Sequence, residues 1–259
     1  MTTPEQAEPA PSTRWFTSEL WLAFALSLGT AGVVALLRLL EDATSGHTLT
    51  SQVALLNGSR APGRPGFDLA FQLLALASGV VPVFLVWHFL RRSDERMSTL
   101  GVDGKRPRTD LLAGAGIAAV IGGAGLALYL GAHALGLALT VVPENLPAVW
   151  WRIPVLFLSA LQNATLEEVL VLGFLLHRLR QLGWSDNRAL ALSATVRGSY
   201  HLYQGFGAFV GNAVMGLIFG RIYQRWGRVM PLLIAHTLMD AVAFIGYAEL
   251  AGHVSWLPT

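Results

Sequence analysis

Seven apolar runs, separated by short polar segments, dominate the hydrophobic pattern of the chain. They cover about residues 20–40, 67–90, 111–139, 150–176, 188–206, 207–224 and 229–249. A helix of ~20 residues, rising ~1.5 Å per residue, crosses a hydrocarbon core of ~30 Å. The pattern therefore predicts an all-α, polytopic transmembrane helical bundle of about seven spans, within a range of six to eight. The fifth and sixth runs are short and closely connected, which indicates a hairpin buried inside the bundle.

The same pattern divides the chain into four segments. Residues 1–18 are polar and contain Pro, without the basic and short apolar regions of a cleaved signal peptide. We expect them to form a disordered cytosolic tail. Residues 19–149 are expected to supply N-terminal transmembrane helices, residues 150–250 a helical core with the candidate chemistry, and residues 251–259 a C-terminal tail.

Composition strengthens the membrane assignment. Charged residues make up 13% of the chain and hydrophobic residues 53%, whereas a soluble domain averages about 25% charged residues. The chain has no Cys. Disulfides, thiolate metal ligands and a Cys nucleophile are therefore excluded.

Basic residues indicate an orientation. Most of the 18 Lys and Arg residues fall in the N-terminal tail and in the segments after the second, fourth and sixth runs. This bias predicts a protein of the cell (plasma) membrane with its N-terminus in the cytoplasm and its C-terminus outside. The basic pI of 9.3 then reflects cytoplasmic loops in contact with membrane lipid. No nucleic-acid partner is expected.

A small set of ionisable residues falls inside the apolar runs, where charge is costly. It consists of Glu167, Glu168, Arg197, His201, His236 and Asp240. An ionised side chain at the bilayer centre costs ~2.5–3.5 kcal/mol on insertion scales. These side chains are therefore expected to face the bundle interior, and such residues are typical of a functional site.

Helical spacing allows these side chains to meet. Glu167 and Glu168 are ~100° apart on one helix, while the pairs Arg197/His201 and His236/Asp240 are four residues apart and share a face. Two carboxylates and two imidazoles in one pocket suit hydrolysis, because a buried carboxylate can take a proton from water. Two chemistries fit: a zinc site held by Glu167, His201 and His236, or a metal-free water activated by Glu.

With these residues the sequence resembles the CAAX-protease and bacteriocin-processing family of intramembrane proteases, also called the Abi or type II CAAX prenyl endopeptidase family. The family pattern is EExxxR on one helix, FxxxH on a second and Hxxx(N/D) on a third. The corresponding segments here are Glu167-Glu168-Val-Leu-Val-Leu172, Arg197-Gly-Ser-Tyr200-His201 and His236-Thr-Leu-Met-Asp240. The order and spacing agree over roughly residues 150–247, and the first three spans carry no comparable signal.

The resemblance implies an intramembrane endopeptidase, of the metalloprotease kind if a metal is used. It implies Glu167 as the general base that activates water, His201 as sharing that water, and His236 as stabilising the oxyanion or binding metal. Glu168 would support the base, and we expect Asp240 to orient His236. The implied substrates are peptides or proteins with CaaX-like C-termini, or small peptides of the bacteriocin kind.

Two departures from the family pattern bear on activity. Leu172 stands where the first motif has Arg, and Arg197 stands where the second has Phe. We predict that Arg197 supplies the missing guanidinium by reaching across to Glu168. The departures also favour an alternative, an inactive family member that acts as a membrane scaffold or bacteriocin-immunity factor. A third possibility is a proton-coupled carrier that uses the buried Glu and His.

Overall fold

A computed structural model describes residues 13–44, 53–135 and 139–254. Its α-helices are α1 (Thr13–Ala25), α2 (Leu28–Thr44), α3 (Pro65–Gly79), α4 (Val81–Arg92), α5 (Pro107–Ile117), α6 (Gly123–Ala134), α7 (Arg152–Glu167), α8 (Leu175–Gln181), α9 (Asp186–Ser199), α10 (Phe206–Trp226) and α11 (Met230–Leu250). Ala118–Gly122 and Glu168–Phe174 are π-helical, and Met97–Leu100 and Leu202–Gln204 are 3₁₀ turns. Two short strands are β1 (Val53–Asn57) and β2 (Thr140–Glu144). The predicted all-α helical bundle is confirmed.

The helices long and apolar enough to cross a membrane number five, or six with one bent pair, among the described residues. The five are Pro65–Arg92, Pro107–Gly131, Arg152–Gln181, Phe206–Trp226 and Met230–Leu250, and the pair is Arg14–Ala25 with Leu28–Asp42, bent by 47°. Most of the fifth predicted run, 188–206, lies in α9, which has 14 residues. At ~1.5 Å per residue this helix is too short for a ~30 Å core. It packs against α10, so the two form the internal hairpin that the sequence indicated.

Part of each predicted tail lies outside the described residues, namely 1–12 and 255–259. Residues 13–18, which were expected to belong to the disordered tail, form the first turns of α1. The strands were not predicted either. They pair in parallel from Val53 opposite Thr140 to Asn57 opposite Glu144, and so join the segment before α3 to the segment before α7.

Proline and glycine set several helix ends. Pro65, Pro82, Pro107 and Pro231 each occupy one of the first two positions of a helix, where the missing N–H has no cost. Gly227 ends α10 in the left-handed conformation, with φ of 64°. These signals are readable in the sequence, and they explain why the predicted runs end close to the observed helices.

The start of α11 is held by the loop before α5. Leu100 and Gly101 accept backbone hydrogen bonds from the amides of Val229 and Met230 at 3.1 and 3.2 Å. A Cβ on Gly101 would lie 2.3 Å from the Cα of Arg228, so this contact requires glycine. Hydrogen bonds from Arg228 also lower the pKa of Asp103. This docking fixes the helix that carries His236.

One hydrophobic core joins the N-terminal helices to the predicted helical core. Val86, Leu90 and Leu100 from the first half pack in the same cluster as Leu170 and Phe174 from the second. Arg178, interpreted from sequence as a loop charge, is in fact fully buried beside this cluster. The two halves therefore share a single packed interior, and the site described next lies within it.

Candidate active site

The two adjacent glutamates lie at a change of helix type. Glu167 is the last residue of α7, and Glu168 begins the π-helical segment that continues to Phe174. Every residue of that segment is buried. A π-helical turn inside an α-helix is rare and frequently occurs at functional sites. The junction therefore marks the place where two carboxylates enter the bundle interior.

Arg197, Tyr200 and His201 lie where α9 ends. Arg197 is in its last turn, Tyr200 follows its end, and His201 leads into the 3₁₀ turn. Gly216 of α10 lies against the arginine stem, since a Cβ there would be 3.1 Å from Arg197 Cδ. Close packing of α9 on α10 thus directs the guanidinium inwards, toward the glutamates.

Glu168, Arg197 and His236 form an inner cluster. Arg197 Nη2 donates to Glu168 Oε1 at 2.6 Å, and His236 Nδ1 lies 2.7 Å from the same oxygen. Arg197 Nη2 is also 3.1 Å from His236 Nδ1. We assign the Nδ1 proton to the shorter contact with Glu168, because two donors cannot bond to each other. The side chains of Glu168 and Arg197 have no exposed surface and that of His236 is 6% exposed.

The contact predicted between Arg197 and Glu168 is confirmed. Position 172 carries Leu, and this Leu is fully buried in the core. The guanidinium that neutralises Glu168 comes instead from α9. A buried ionised group needs a partner of opposite charge, and the helix packing supplies one.

Glu167 and His201 form an outer pair that is more accessible than the inner cluster. The Glu167 side chain is 12% exposed, and His201 is half-buried. Glu167 Oε2 accepts a hydrogen bond from the Tyr200 hydroxyl at 2.9 Å and lies 3.5 Å from Arg197 Nη2. His201 Nδ1 lies 3.0 Å from the Arg197 carbonyl oxygen and donates to it, so that Nε2 is left with a lone pair.

Asp240 is placed differently from our expectation. Its Oδ1 lies 3.6 Å from His236 Nε2, which is longer than a hydrogen bond. The ring of His236 is held at its other nitrogen, by Glu168. The side chain of Asp240 is 22% exposed, so it lies on the accessible side of the cluster.

Side-chain hydrogen bonds or ion pairs thus join Glu167, Glu168, Arg197 and His236, and Asp240 lies at the edge, 3.6 Å from His236. The His201 side chain is held by the backbone carbonyl of Arg197. Sequence reasoning missed Tyr200. The available signal was its position directly before His201 and three residues after Arg197. A tyrosine alone does not indicate a functional site, since most buried tyrosines are core residues whose hydroxyl forms a hydrogen bond.

The predicted zinc ligands do not form a metal site in this arrangement. Among the residues that the structure describes, no group of three or more His, Asp or Glu side chains could hold a metal ion. His236 Nδ1 is bonded to Glu168, and the Arg197 guanidinium lies 3.5 Å from Glu167. A fixed cation beside these carboxylates disfavours a divalent ion. The present geometry therefore does not fit a zinc ion.

Comparison with known proteins identifies the segment that carries the site. Residues 149–242 match the family described as Type II CAAX prenyl endopeptidase Rce1-like. The match contains every candidate site residue and does not extend into the first six helices. No curated protein and no solved structure matches the chain. With its apolar spans, the protein is an integral membrane protein, and its residues 149–242 are similar to the type II CAAX prenyl endopeptidases.

Proposed function

We propose that this protein hydrolyses a peptide bond inside the membrane with a water molecule activated by Glu167. The observation that carries the proposal is the unequal accessibility of the two glutamates. Glu168 has no exposed surface and is neutralised by Arg197, whereas the side chain of Glu167, although mostly buried, keeps 12% of its surface exposed, and His201 is half-buried. One carboxylate is therefore suited to hold the helices together, and the other to meet water and substrate.

The proposed reaction uses the outer pair for proton transfer. Glu167 takes a proton from water, and the resulting hydroxide attacks the carbonyl carbon of the scissile peptide bond. His201 Nε2 accepts a hydrogen bond from the same water. His236, held at Nδ1 by Glu168, would stabilise the oxyanion from Nε2 when the ring is doubly protonated. The proton on Glu167 then passes to the leaving nitrogen as the C–N bond breaks.

We propose that this chemistry needs no metal. The support is the position of Arg197, whose charge lies between the two glutamates. Peptides with CaaX-like C-termini are the proposed substrates, by analogy with the family, and bacteriocin-type peptides are the second class. The alternative of an inactive scaffold rests on the two departures from the family pattern, Leu172 and Arg197. The guanidinium of Arg197 beside Glu168 counts against it, because the lost charge has been replaced.

Purified protein in liposomes tests the proposal, with a fluorogenic prenylated CaaX peptide and a bacteriocin-type peptide as substrates. Removal of a general base costs about 10²- to 10⁴-fold, so Glu167→Gln should lower kcat by that factor. Glu41→Gln is the matched control, because Glu41 is 64% exposed in a surface ion pair. A metal chelator should leave the rate unchanged.

Each other result has a distinct meaning. Full cleavage by Glu167→Gln would refute the proposed base. Loss of activity with chelator and recovery with zinc would overturn the metal-free reaction alone. If folded wild-type protein cleaves neither peptide, the scaffold alternative is favoured.

We also propose that the membrane is the plasma membrane and that the N-terminus is cytoplasmic, and the basic loops support this orientation. The absence of Cys makes labelling direct. In intact cells, Cys at the exposed position Pro62 should react with an impermeant maleimide, and Cys at the exposed position Gly104 should react only after lysis. The reverse pattern would overturn the orientation.

A further inference from the structure

Tyr200 contacts the proposed base directly and was not part of the motifs. Its hydroxyl donates to Glu167 Oε2 at 2.9 Å, and the residue is 5% exposed. Its ring lies 4.8 Å from the His201 ring, centroid to centroid, with a 40° tilt. One side chain thus contacts both members of the outer pair.

The two oxygens of Glu167 have different surroundings. Oε2 is held by the Tyr200 hydroxyl and lies 3.5 Å from the Arg197 guanidinium. No other described residue forms a hydrogen bond with Oε1. A carboxylate fixed through one oxygen keeps the lone pairs of the other oxygen in a defined direction. Oε1 is then the atom available to a substrate water.

Backbone geometry places Tyr200 for this contact. The amide of His201 donates to the Gly198 carbonyl at 3.0 Å, so the chain leaves α9 in a tight turn. Gly205, with φ of 94°, ends the following 3₁₀ turn against Leu139. These contacts hold the turn that carries Tyr200, whose hydroxyl reaches Glu167.

We infer that Tyr200 is a positioning residue, which anchors Glu167 through Oε2 so that Oε1 receives the proton of the attacking water. This inference rests on the proposed function. In the step itself one O–H bond of water breaks and an Oε1–H bond forms, while the hydroxyl of Tyr200 keeps its proton. A misplacement of about 1 Å at a reacting group can cost about 100-fold in rate. The anchor is therefore expected to act on kcat.

Kinetics of Tyr200→Phe, with and without Glu167→Gln, test the inference. Tyr200→Phe keeps the ring and its packing on His201 and removes only the hydroxyl. We expect kcat to fall by about 10- to 100-fold with KM unchanged. On the Glu167→Gln background the same change should have no effect, because the base that it positions is gone. Tyr223→Phe is the control, since Tyr223 is also buried, on α10, and none of the candidate site residues bonds to its hydroxyl.

The outcomes separate the inference from the proposed function. If wild type cleaves peptide, Glu167→Gln does not, and Tyr200→Phe has wild-type kcat, the inference is wrong and the base assignment stands. An equal loss from Tyr200→Phe with and without Glu167 would show an effect unrelated to the base, and would also overturn it. Activity of Glu167→Gln, or inactivity of wild type, would overturn the proposed function and with it this inference.

A second measurement tests the inference if Tyr200→Phe folds poorly. Infrared difference spectra of wild type and Glu167→Gln isolate the carboxylate band of Glu167. Replacing Tyr200 with 3,5-difluorotyrosine keeps the ring and the hydroxyl but makes that hydroxyl a stronger donor. The band should shift with this substitution and stay in place with Tyr223→Phe. An unshifted band would show that the contact is absent.

Discussion

Arg178 and Arg197 are both fully buried, yet the bundle satisfies them to different degrees. All donor nitrogens of Arg178 are bonded, to Glu19, Glu95, Gln181, Ser93 and the carbonyl of Phe89. Arg197 uses Nη2, and its Nε and Nη1 have no partner among the described residues.

The difference teaches which buried charge serves the fold and which serves the site. An arginine has five N–H donors, and the five acceptors around Arg178 come from α1, from α4 and the turn after it, and from α8. That network connects the first helices to the matched family segment. Two nitrogens of Arg197 lack hydrogen-bond acceptors in the part of the chain that the structure describes. Unsatisfied buried polar groups of this kind are typical of functional sites. We therefore assign Arg178 to stability and propose that Arg197 serves the candidate active site.

The largest expected effect is on stability, from Arg178→Met. This change leaves Glu19 and Glu95 without their shared cation, and Glu19 is 4% exposed. Breaking a buried ion pair from one side costs about 3–5 kcal/mol. Thermal or denaturant unfolding in detergent measures the loss. The neighbouring variant Arg180→Met is the control, because Arg180 is 61% exposed in its pair with Asp186, and its cost should stay below about 1 kcal/mol. Equal losses in the two variants would break the comparison.

The role of Arg197 was visible in the sequence, whereas that of Arg178 was not. Arg178, Glu19 and Glu95 lie near the ends of apolar runs, where charges normally set topology, so the pattern gave no reason to bury them. Burial follows from α1 and the turn after α4 packing on α8, which is long-range information. The Arg197–Glu168 contact was predictable because a buried Glu168 without Arg at position 172 required another cation.

The fold, too, has features that the sequence predicted and features that depend on long-range contacts. The long apolar runs located the helices, since backbone polar groups within a membrane must be hydrogen-bonded, and helices achieve this within each segment. They did not predict the parallel strands, because Val53–Asn57 and Thr140–Glu144 are far apart in the chain and their pairing depends on long-range contacts. They also predicted α9 as a span, since composition does not show whether an apolar run of this length is covered by lipid or by protein.

The second largest effect is on activity, from Arg197→Phe. This variant restores the family residue at position 197 and leaves Glu168 with His236 alone. We expect kcat per folded molecule to fall by about 100-fold as Glu167 and His236 shift. Adding Leu172→Arg returns a guanidinium one turn after Glu168, and should recover at least tenfold of the loss.

Arg197→Lys sharpens this test, because it keeps the charge without the planar fork. Its kcat should lie between those of wild type and Arg197→Phe. If the folded double variant is no more active than Arg197→Phe, the proposal that Arg197 replaces the family arginine is wrong.

A smaller effect is expected from Gly216→Ala on α10. The new Cβ would lie 3.1 Å from Arg197 Cδ and from Ala194 Cα, so the guanidinium must move by a few tenths of an ångström. Gly211→Ala is the matched control on the same helix, where a Cβ meets nothing within 4 Å. Both variants gain about 1 kcal/mol of helix propensity, so their difference reports packing. Gly216→Ala should lower kcat by about two- to tenfold, and identical kinetics in the two variants would contradict the assignment.

The smallest effect concerns the pH dependence of the Arg178 network, read through Glu95 in the turn after α4. Burial raises the pKa of this carboxyl, but hydrogen bonds and charges from His177 and Arg178 outweigh it, so the pKa lies below the ordinary value of 4.5. A carboxyl with a lowered folded-state pKa adds stability above its unfolded value, and that stability disappears as the pH falls through the folded value. The melting temperature of wild type should therefore exceed that of Glu95→Gln at pH 6, and the gap should close below about pH 4.5. The effect is smaller than for Arg178→Met, because Arg178 keeps four other acceptors, including Glu19. A gap that stays constant down to pH 3 would mean that Glu95 contributes no ionised partner, and would weaken the contrast with Arg197.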